Sequence, residues 1–336
     1  MGAAGYPPAP NAGGANDDRS GGDGTGAVKR VVVTEFMDEA ALDGFGEGFE
    51  VRYAPALVDD RAAMLDALAD ADAVIVRNRT QVDAELLAAA PKLRAVGRLG
   101  VGLDNIDLAA CAVRGIAVHP ATGANAASVA EYVIGAVMTL VRGAFHSNAA
   151  MLAAEWPRVA LGRGGEVGGR TLGLVGYGTI AREVAVRASA LGMTVIAHDP
   201  MLDAAGPAWG GTEPVALDAL LARADAVSLH VPLTDGTRGM IDADALGRMK
   251  PGAILVNTAR GGIVDEAAVA AALRSGALGG AALDVFEEEP LGEAAATFAG
   301  CPNLILTPHV AGVTAEANER VSHLTVANVR RALMAE

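Results

Sequence analysis

The stretch LGLVGYGTIA (172–181) constrains this chain more than any other. An apolar run ends in G-x-G-x-x-A at Gly176, Gly178 and Ala181, and the helical pattern YGTIAREVAVRASALG overlaps it and runs on. By itself such a match is an ordinary Gly-rich turn between a strand and a helix. Set inside a βαβ rhythm it predicts a dinucleotide-binding turn. Gly176 permits the tight turn, Gly178 lets backbone approach a pyrophosphate, and Ala181 lets the helix pack closely on the strand. The helix N-terminus then offers unpaired N–H groups and the positive end of its dipole to the anion. The next strand, MTVIAHD, ends at Asp199, 23 residues after Gly176. A carboxylate there accepts hydrogen bonds from an adenosine ribose and repels a 2′-phosphate. The following PMLDAA offers no Arg or Lys to such a phosphate. NAD is therefore expected rather than NADP.

The chain has 336 residues, which at roughly 150 per domain predicts about two domains. Hydrophobic residues make up 51% and charged ones 20%, enough to bury a core. The net charge of −14 repels phosphate backbones and argues against nucleic acid as a partner. The longest apolar stretch, 132–141, lies between Glu131 and Arg142 and is too short to cross a bilayer, so no membrane partner is expected. Cys111 and Cys301 give neither a disulfide framework nor metal-ligand spacing, so no metal site is expected and the cytoplasm is the simplest compartment. Residues 1–27 hold no Val, Ile, Leu, Phe or Trp and read as a disordered tail.

Strands are expected at 28–36, 71–76, 93–96 and 116–118, with a helix over 61–69. A long helix, AASVAEYVIGAVMTLV (126–141), is apolar almost all round, which suits burial between domains or between subunits. After 171 the alternation restarts, with later strands in AVSLHVP, AILVNTA, GAALDVF and NLILTPH and a terminal helix over about 314–334. Alternating strands and helices imply parallel sheets. The expected fold is α/β with two doubly wound domains, the first discontinuous.

Three strand ends in the second half carry conspicuous polar residues. NTARGGIVDE places Arg260 in a Gly-flanked turn, ALDVFEEEP holds Asp284 and Glu289, and LTPHVAG holds His309. Each alone is commonly a solvated charge. Ligands in open α/β sheets gather at the carboxyl ends of strands, and that shared position singles these residues out.

With these residues in view, the chain resembles the D-2-hydroxyacid dehydrogenase family, which includes phosphoglycerate dehydrogenases and hydroxypyruvate reductases. The blocks VGRLGVGLDNID, SVAEYVIGAVMTLVR, LGLVGYGTIA, SLHVPLT, NTARGGIVDE, GAALDVFEEEP and NLILTPHVAG carry the resemblance, in the family's order. The resemblance implies a flavodoxin-like substrate-binding domain over 28–122 and 304–336 and a Rossmann NAD-binding domain over 123–303. It implies that Arg260, Glu289 and His309 are the catalytic set. Arg260 would hold the substrate carboxylate and polarise the 2-oxo group. His309 would take the hydroxyl proton as hydride leaves C2, and Glu289 would orient its imidazole and stabilise the charged form. Thr179 and Ile180 would lie by the pyrophosphate. Thr258, Ala259 and Asp284 would line the nicotinamide, with Ala311 and Gly312 in the loop of His309. His230, Val231 and Pro232 would form a wall of the cofactor pocket. Val101 and Gly102 would offer backbone N–H groups to the substrate carboxylate.

Substrate choice rests on the first domain. Arg77, Asn78 and Arg79 stand in VRNRT and Arg98 in GRLG, and Arg77, Asn78 and Arg98 are expected at the substrate. If Arg77 and Arg98 face the cleft, the substrate is a 2-hydroxy or 2-oxo acid with a second anionic group. EFMDE, VRNRTQVD, GRLGVGLDNID and PATGAN together resemble family members that act on (S)-3-sulfolactate; 3-phosphoglycerate and hydroxypyruvate or glyoxylate are the alternatives. The chain ends 27 residues after His309, which is read as leaving no appended regulatory domain. A homodimer is expected. The rival class is an NAD-sensing corepressor-like binding protein on the same fold.

Overall fold

The computed structural model describes residues 27–203 and 205–335; apart from Ala27, the tail expected over 1–27 lies outside them. Two parallel sheets organise the chain. The first contains β1 (Lys29–Val33), β2 (Phe49–Tyr53), β3 (Ala73–Val76), β4 (Ala95–Arg98) and β5 (Ala117–Pro120) in the order β2-β1-β3-β4-β5. The second contains β6 (Thr171–Val175), β7 (Thr194–His198), β8 (Glu213–Pro214), β9 (Ala226–Leu229), β10 (Ala253–Asn257), β11 (Leu278–Leu283) and β12 (Leu304–Leu306), in the order β12-β11-β10-β9-β6-β7-β8. The first order is that of flavodoxin-like sheets. The second is the Rossmann order with one further strand at the β12 edge.

Helices cover both sheets: α1 (Arg61–Leu68), α2 (Ala84–Ala89), α3 (Leu108–Val113) and α4 (Ala126–Arg142), then α5 (Asn148–Leu152), α6 (Arg158–Leu161) and α7 (Thr179–Ala190), and finally α8 (Leu217–Arg223), α9 (Ala243–Arg248), α10 (Glu266–Ser275) and α11 (Ala315–Met334). Covering explains the strand sequences. Every residue of β3 (AVIV), β9 (AVSL) and β10 (AILVN) is buried, as a strand with both faces packed requires. β2 (FEVRY) at the edge alternates with charged residues, and this signal was too weak for the sequence reading to mark it as a strand. The first strand is shorter than the expected 28–36, because beyond Val33 the chain turns into the loop that carries Glu35.

The division expected at 303/304 needs one correction. Leu304–Leu306 pairs with β11 in register Ala281↔Leu304, Ala282↔Ile305 and Leu283↔Leu306, so it extends the second sheet instead of rejoining the first. The return to the first sheet comes after it, over 307–314. There Thr314 caps α11 by accepting from the Ala317 N–H. α11 then packs Val321, Val326, Val329 and Leu333 into the core of the first sheet. α4 lies on the second sheet and against α7, burying Val129, Val133, Val137 and Leu140, while Met138 on its other side is 42% exposed.

The close seating of α11 on β4 depends on Gly97. A Cβ at that position would lie 2.6 Å from Val329 Cγ2 and 2.8 Å from Thr325 Cγ2. Gly97→Ala is expected to lower stability by about 1–3 kcal/mol, the usual range for overpacking. Thermal denaturation of the two proteins checks this; an unchanged Tm would show that α11 shifts freely.

Candidate active site

The carboxyl ends of β3 and β4 face those of β6, β9, β10, β11 and the loop after β12 across one crevice of about 650 Å³. From the first side come Arg77, Asn78, Arg98, Val101 and Gly102; from the second come Ile180, His230–Pro232, Thr258–Arg260, Asp284, His309, Ala311 and Gly312. Gly176, Gly178 and Thr179 stand at the β6–α7 turn, which leads into this crevice through Ile180, and Asp199 meets that turn from the end of β7.

The turn has the required local form. Gly176 has φ +86°, and a Cβ there would lie 2.6 Å from the His230 carbonyl oxygen. Gly178 is the N-cap of α7, and a Cβ on it would meet nothing within 4 Å, so the space before the helix N-terminus is open to an anion. Asp199 fixes the turn: Oδ2 accepts from the Tyr177 N–H at 2.9 Å and Oδ1 from the Met201 N–H at 2.9 Å. Each oxygen keeps a lone pair for a further donor.

His309 sits at φ +55°, a left-handed conformation costly for a non-glycine residue. Asp284 holds it there. This carboxylate, 1% exposed, accepts from Thr307 Oγ1 (2.5 Å), the Val310 N–H (2.9 Å) and the Ala311 N–H (2.8 Å), and its backbone carbonyl accepts from the His309 N–H (2.8 Å). Tyr132 on α4 adds a 2.6 Å hydrogen bond to Thr307 Oγ1. Glu289 lies behind the imidazole: Oε2 is 2.8 Å from His309 Nδ1, and Oε1 accepts from the Phe286 N–H at 3.1 Å. With Nδ1 so engaged, Nε2 is the nitrogen left to exchange a proton with substrate.

Arg260 reaches across the crevice. Its Nε donates to Asp104 Oδ2 at 2.8 Å and its Nη1 to the Ala259 carbonyl, while a Cβ on Gly102 would fall 1.6 Å from its Nη2. Asp104 is 62% exposed, so its pairing leaves this guanidinium open to exchange with an incoming carboxylate. Arg98 is mostly buried and bonds the Leu99 carbonyl through Nη1, yet its Nε has no partner. Burial, followed by the charges of Arg260 and Arg77, pushes Arg98 down to about 10, still a cation at neutral pH. Arg77 is held by the Phe36 carbonyl and Asn318 Oδ1. Arg79 turns away from this crevice and pairs with Asp59.

Thr258 Oγ1 and Asn125 Oδ1 are likewise buried without partners and line the same crevice. Orphaned polar atoms of this kind await a ligand, and with the open turn before α7 they fit a dinucleotide. Asp104, Asn125, Thr307, Tyr132 and Asn318 escaped the sequence reading; each is an ordinary polar residue whose position appears only on folding. Among the described residues no group of three or more His, Cys, Asp or Glu is placed to hold a metal ion, and no helix is long and apolar enough to cross a membrane.

A nucleotide-binding turn, an imidazole backed by a carboxylate and a guanidinium in one crevice define an NAD-dependent oxidoreductase of hydroxy acids. Residues 134–311 match the family described as D-isomer specific 2-hydroxyacid dehydrogenase, NAD binding domain, and the chain belongs to it. It is 59% identical over 304 residues to (S)-sulfolactate dehydrogenase of Chromohalobacter salexigens, covering 90% of this chain and 98% of that one. It is 42% identical over 306 residues to D-3-phosphoglycerate dehydrogenase of Mycobacterium leprae, covering 91% of this chain but 57% of the relative. Its fold matches a glyoxylate reductase from Paecilomyes thermophila with a TM-score of 0.80 and 30% identity, over 91% of this chain and 96% of that one. The chain is thus an enzyme that transfers hydride between a 2-hydroxy acid and NAD.

His230 gives a test of this wall of the crevice. Its Nε2 is 2.9 Å from Ser228 Oγ, and burial pushes the imidazole down to about 4. The unfolded chain binds this proton near pH 6.5 and the folded one only near 4, so stability falls as pH drops between those values. In His230→Gln the fall in Tm from pH 6.5 to 4 is expected to be several degrees smaller than in the wild type; parallel curves would refute it.

Proposed function

We propose that this enzyme interconverts (S)-3-sulfolactate and 3-sulfopyruvate. One observation carries the reading: Arg77, Arg98 and Arg260 converge on one crevice, and Arg98 Nε lacks a partner there. One cation suffices for the carboxylate every 2-hydroxy acid has; two more call for a second anion. The likeness to a sulfolactate dehydrogenase along nearly its whole length supports sulfonate over phosphate as that anion. In this reading 28–122 and the segment after β12 form the substrate-binding domain, and 123–303 with β12 the NAD-binding domain.

NAD accepts the hydride from C2 when bound. Gly176, Gly178, Thr179 and Ile180 would hold its pyrophosphate, Asp199 its ribose, and His230–Pro232, Thr258, Ala259, Asp284, Ala311 and Gly312 would line the place for its nicotinamide end. Arg260, with the backbone of Val101 and Gly102, binds the carboxylate and polarises the 2-oxo group. Arg77, Asn78 and Arg98 receive the sulfonate. His309 takes the hydroxyl proton at Nε2 during oxidation and returns it in reduction, and Glu289 stabilises the imidazolium formed.

Turnover of NADH against 3-sulfopyruvate, 3-phosphohydroxypyruvate, hydroxypyruvate and glyoxylate tests the reading. Sulfopyruvate is expected to give the highest kcat/KM, and a higher value for the phosphorylated acid would overturn it. His309→Gln and Arg260→Ala are each expected to lose about 100-fold or more in kcat/KM with NADH binding retained; near-normal turnover in either would remove its assigned role.

The free thiols of Cys111 and Cys301 support a reducing, cytoplasmic setting. The segment after α4 supports a homodimer. Phe145, Leu152, Trp156 and Val159 are 66%, 90%, 75% and 79% exposed, and neither α5 nor α6 buries a residue in the chain's own core. Large apolar side chains clustered on a surface mark an interface. Light scattering is expected to report twice the mass of the 33.8 kDa chain; the monomer mass would refute it.

A further inference from the structure

Beyond the groups that face substrate, one buried charge stands directly behind them. Glu35 follows β1 by two residues and is 4% exposed. Its Oε1 accepts from the N–H groups of Arg77 (2.8 Å) and Thr80 (2.9 Å), and its Oε2 from those of Asn78 (3.2 Å) and Arg79 (3.1 Å). Four successive amides of the loop after β3 thus converge on one carboxylate.

The residues on either side strengthen the same tie. Thr34 Oγ1 is 2.9 Å from Thr80 Oγ1, and both residues are buried. The Phe36 carbonyl accepts from Arg77 Nη1, and the Arg77 guanidinium lies 6.0 Å from the centre of the Phe36 ring. Residues 34–36 therefore hold the 77–80 loop at backbone and side chain alike. This loop supplies Arg77 and Asn78 to the crevice.

We propose that Glu35 is a positioning residue that sets the preference for substrates with a second anionic group, acting through the backbone of residues 77–80. The proposal rests on the reading of Arg77 and Arg98 as the sulfonate subsite. Its chemistry is specific to a carboxylate. Four donors need four acceptor sites, which a carboxylate supplies; a carboxamide has two and turns its own donors toward the rest. Burial alone would raise the Glu35 pKa, but the hydrogen bonds from Thr80, Arg77 and Arg79 bring it below the ordinary value, so the charge persists at neutral pH. That charge also faces Arg77 and Arg98 and offsets part of the repulsion within the cationic crevice.

Hydrogen exchange and steady-state kinetics on the full chain with NADH test this. In Glu35→Gln the amides of 77–80 are expected to exchange about tenfold faster or more, with those of β6, β9 and β10 unchanged. The KM for 3-sulfopyruvate is expected to rise about tenfold, while kcat and the KM for glyoxylate, a monoanion, stay within about twofold. Glu35→Asp, which keeps all four acceptor sites, is expected to recover most of the difference. Unchanged exchange at 77–80, or equal losses on the two acids, would overturn the proposal. A wild-type enzyme with no preference for 3-sulfopyruvate over glyoxylate would remove the substrate reading instead, and the exchange rates would still decide whether Glu35 orders the loop. Should Glu35→Gln fail to fold, Thr34→Val removes one side-chain tie to the 77–80 loop, at Thr80 Oγ1, together with the Thr34 Oγ1 bond to the Ile75 carbonyl. It is expected to show the same split at about threefold, and its absence would count against the proposal equally.

Discussion

The chemistry of this crevice depends on a buried carboxylate that meets no substrate proton. Asp284 ends β11 with its charge out of water, and it is satisfied by one hydroxyl and two amides of the loop 307–311. Breaking those bonds leaves an unpaired charge in the interior, which costs several kcal/mol. The loop is therefore held hard, and that hold makes the left-handed backbone of His309 tolerable. The imidazole meets Glu289 because the Asp284 carboxylate and the Phe286 amide both lie at the end of one strand. Expected from the resemblance at the nicotinamide, Asp284 also anchors the loop that carries His309, and Thr307 carries that anchor to Tyr132 on α4.

The crevice exists because two parallel sheets present their carboxyl ends to each other, and the chain crosses between them along α4 and again over 307–314. The second crossing does most to join the halves. It starts at β12, passes His309, and enters α11, whose Asn318 bonds Arg77 and whose apolar face packs on β4. One continuous segment thus ties the His309 imidazole to the Arg77 guanidinium on the other side of the crevice. Asp104 and Arg260, 156 residues apart, span the same gap from the opposite wall.

The sequence was most informative where physics confines the choice of residue to a few types. The turn at 176–181 admits Gly where a Cβ would strike the His230 carbonyl, and the buried strands β3, β9 and β10 are apolar but for Ser228 and Asn257. Arg260, Glu289 and His309 stood out because charged residues interrupt apolar strand ends. β2 and β8 did not, since edge strands carry polar side chains and one of them spans two residues. Asn318 had no signal at all: it is a polar residue on an amphipathic helix, and its approach to Arg77 depends on how α11 docks. The sheet to which β12 belongs has no signal of its own, because NLILTPH fits equally well an edge strand of one sheet or the start of the return to the other.

Charge is divided in a way that composition hides. The chain carries −14 overall, yet its crevice gathers three guanidinium groups. The buried acidic groups bond backbone amides and a hydroxyl rather than pairing with these guanidiniums. Glu35 spends its lone pairs on backbone amides, and Asp284 spends its own on the 307–311 loop. Asp104 pairs with Arg260 but stays largely in water, where the pair contributes little and yields readily to an incoming carboxylate. A buried carboxylate satisfied by amides keeps the fold in place without forming an ion pair with the crevice guanidiniums, while the Glu35 charge still offsets part of their mutual repulsion. A buried Arg–carboxylate pair at the same point would have left no guanidinium free to bind. This arrangement lets an acidic protein maintain a local cationic pocket, a favourable place for a small anion to settle.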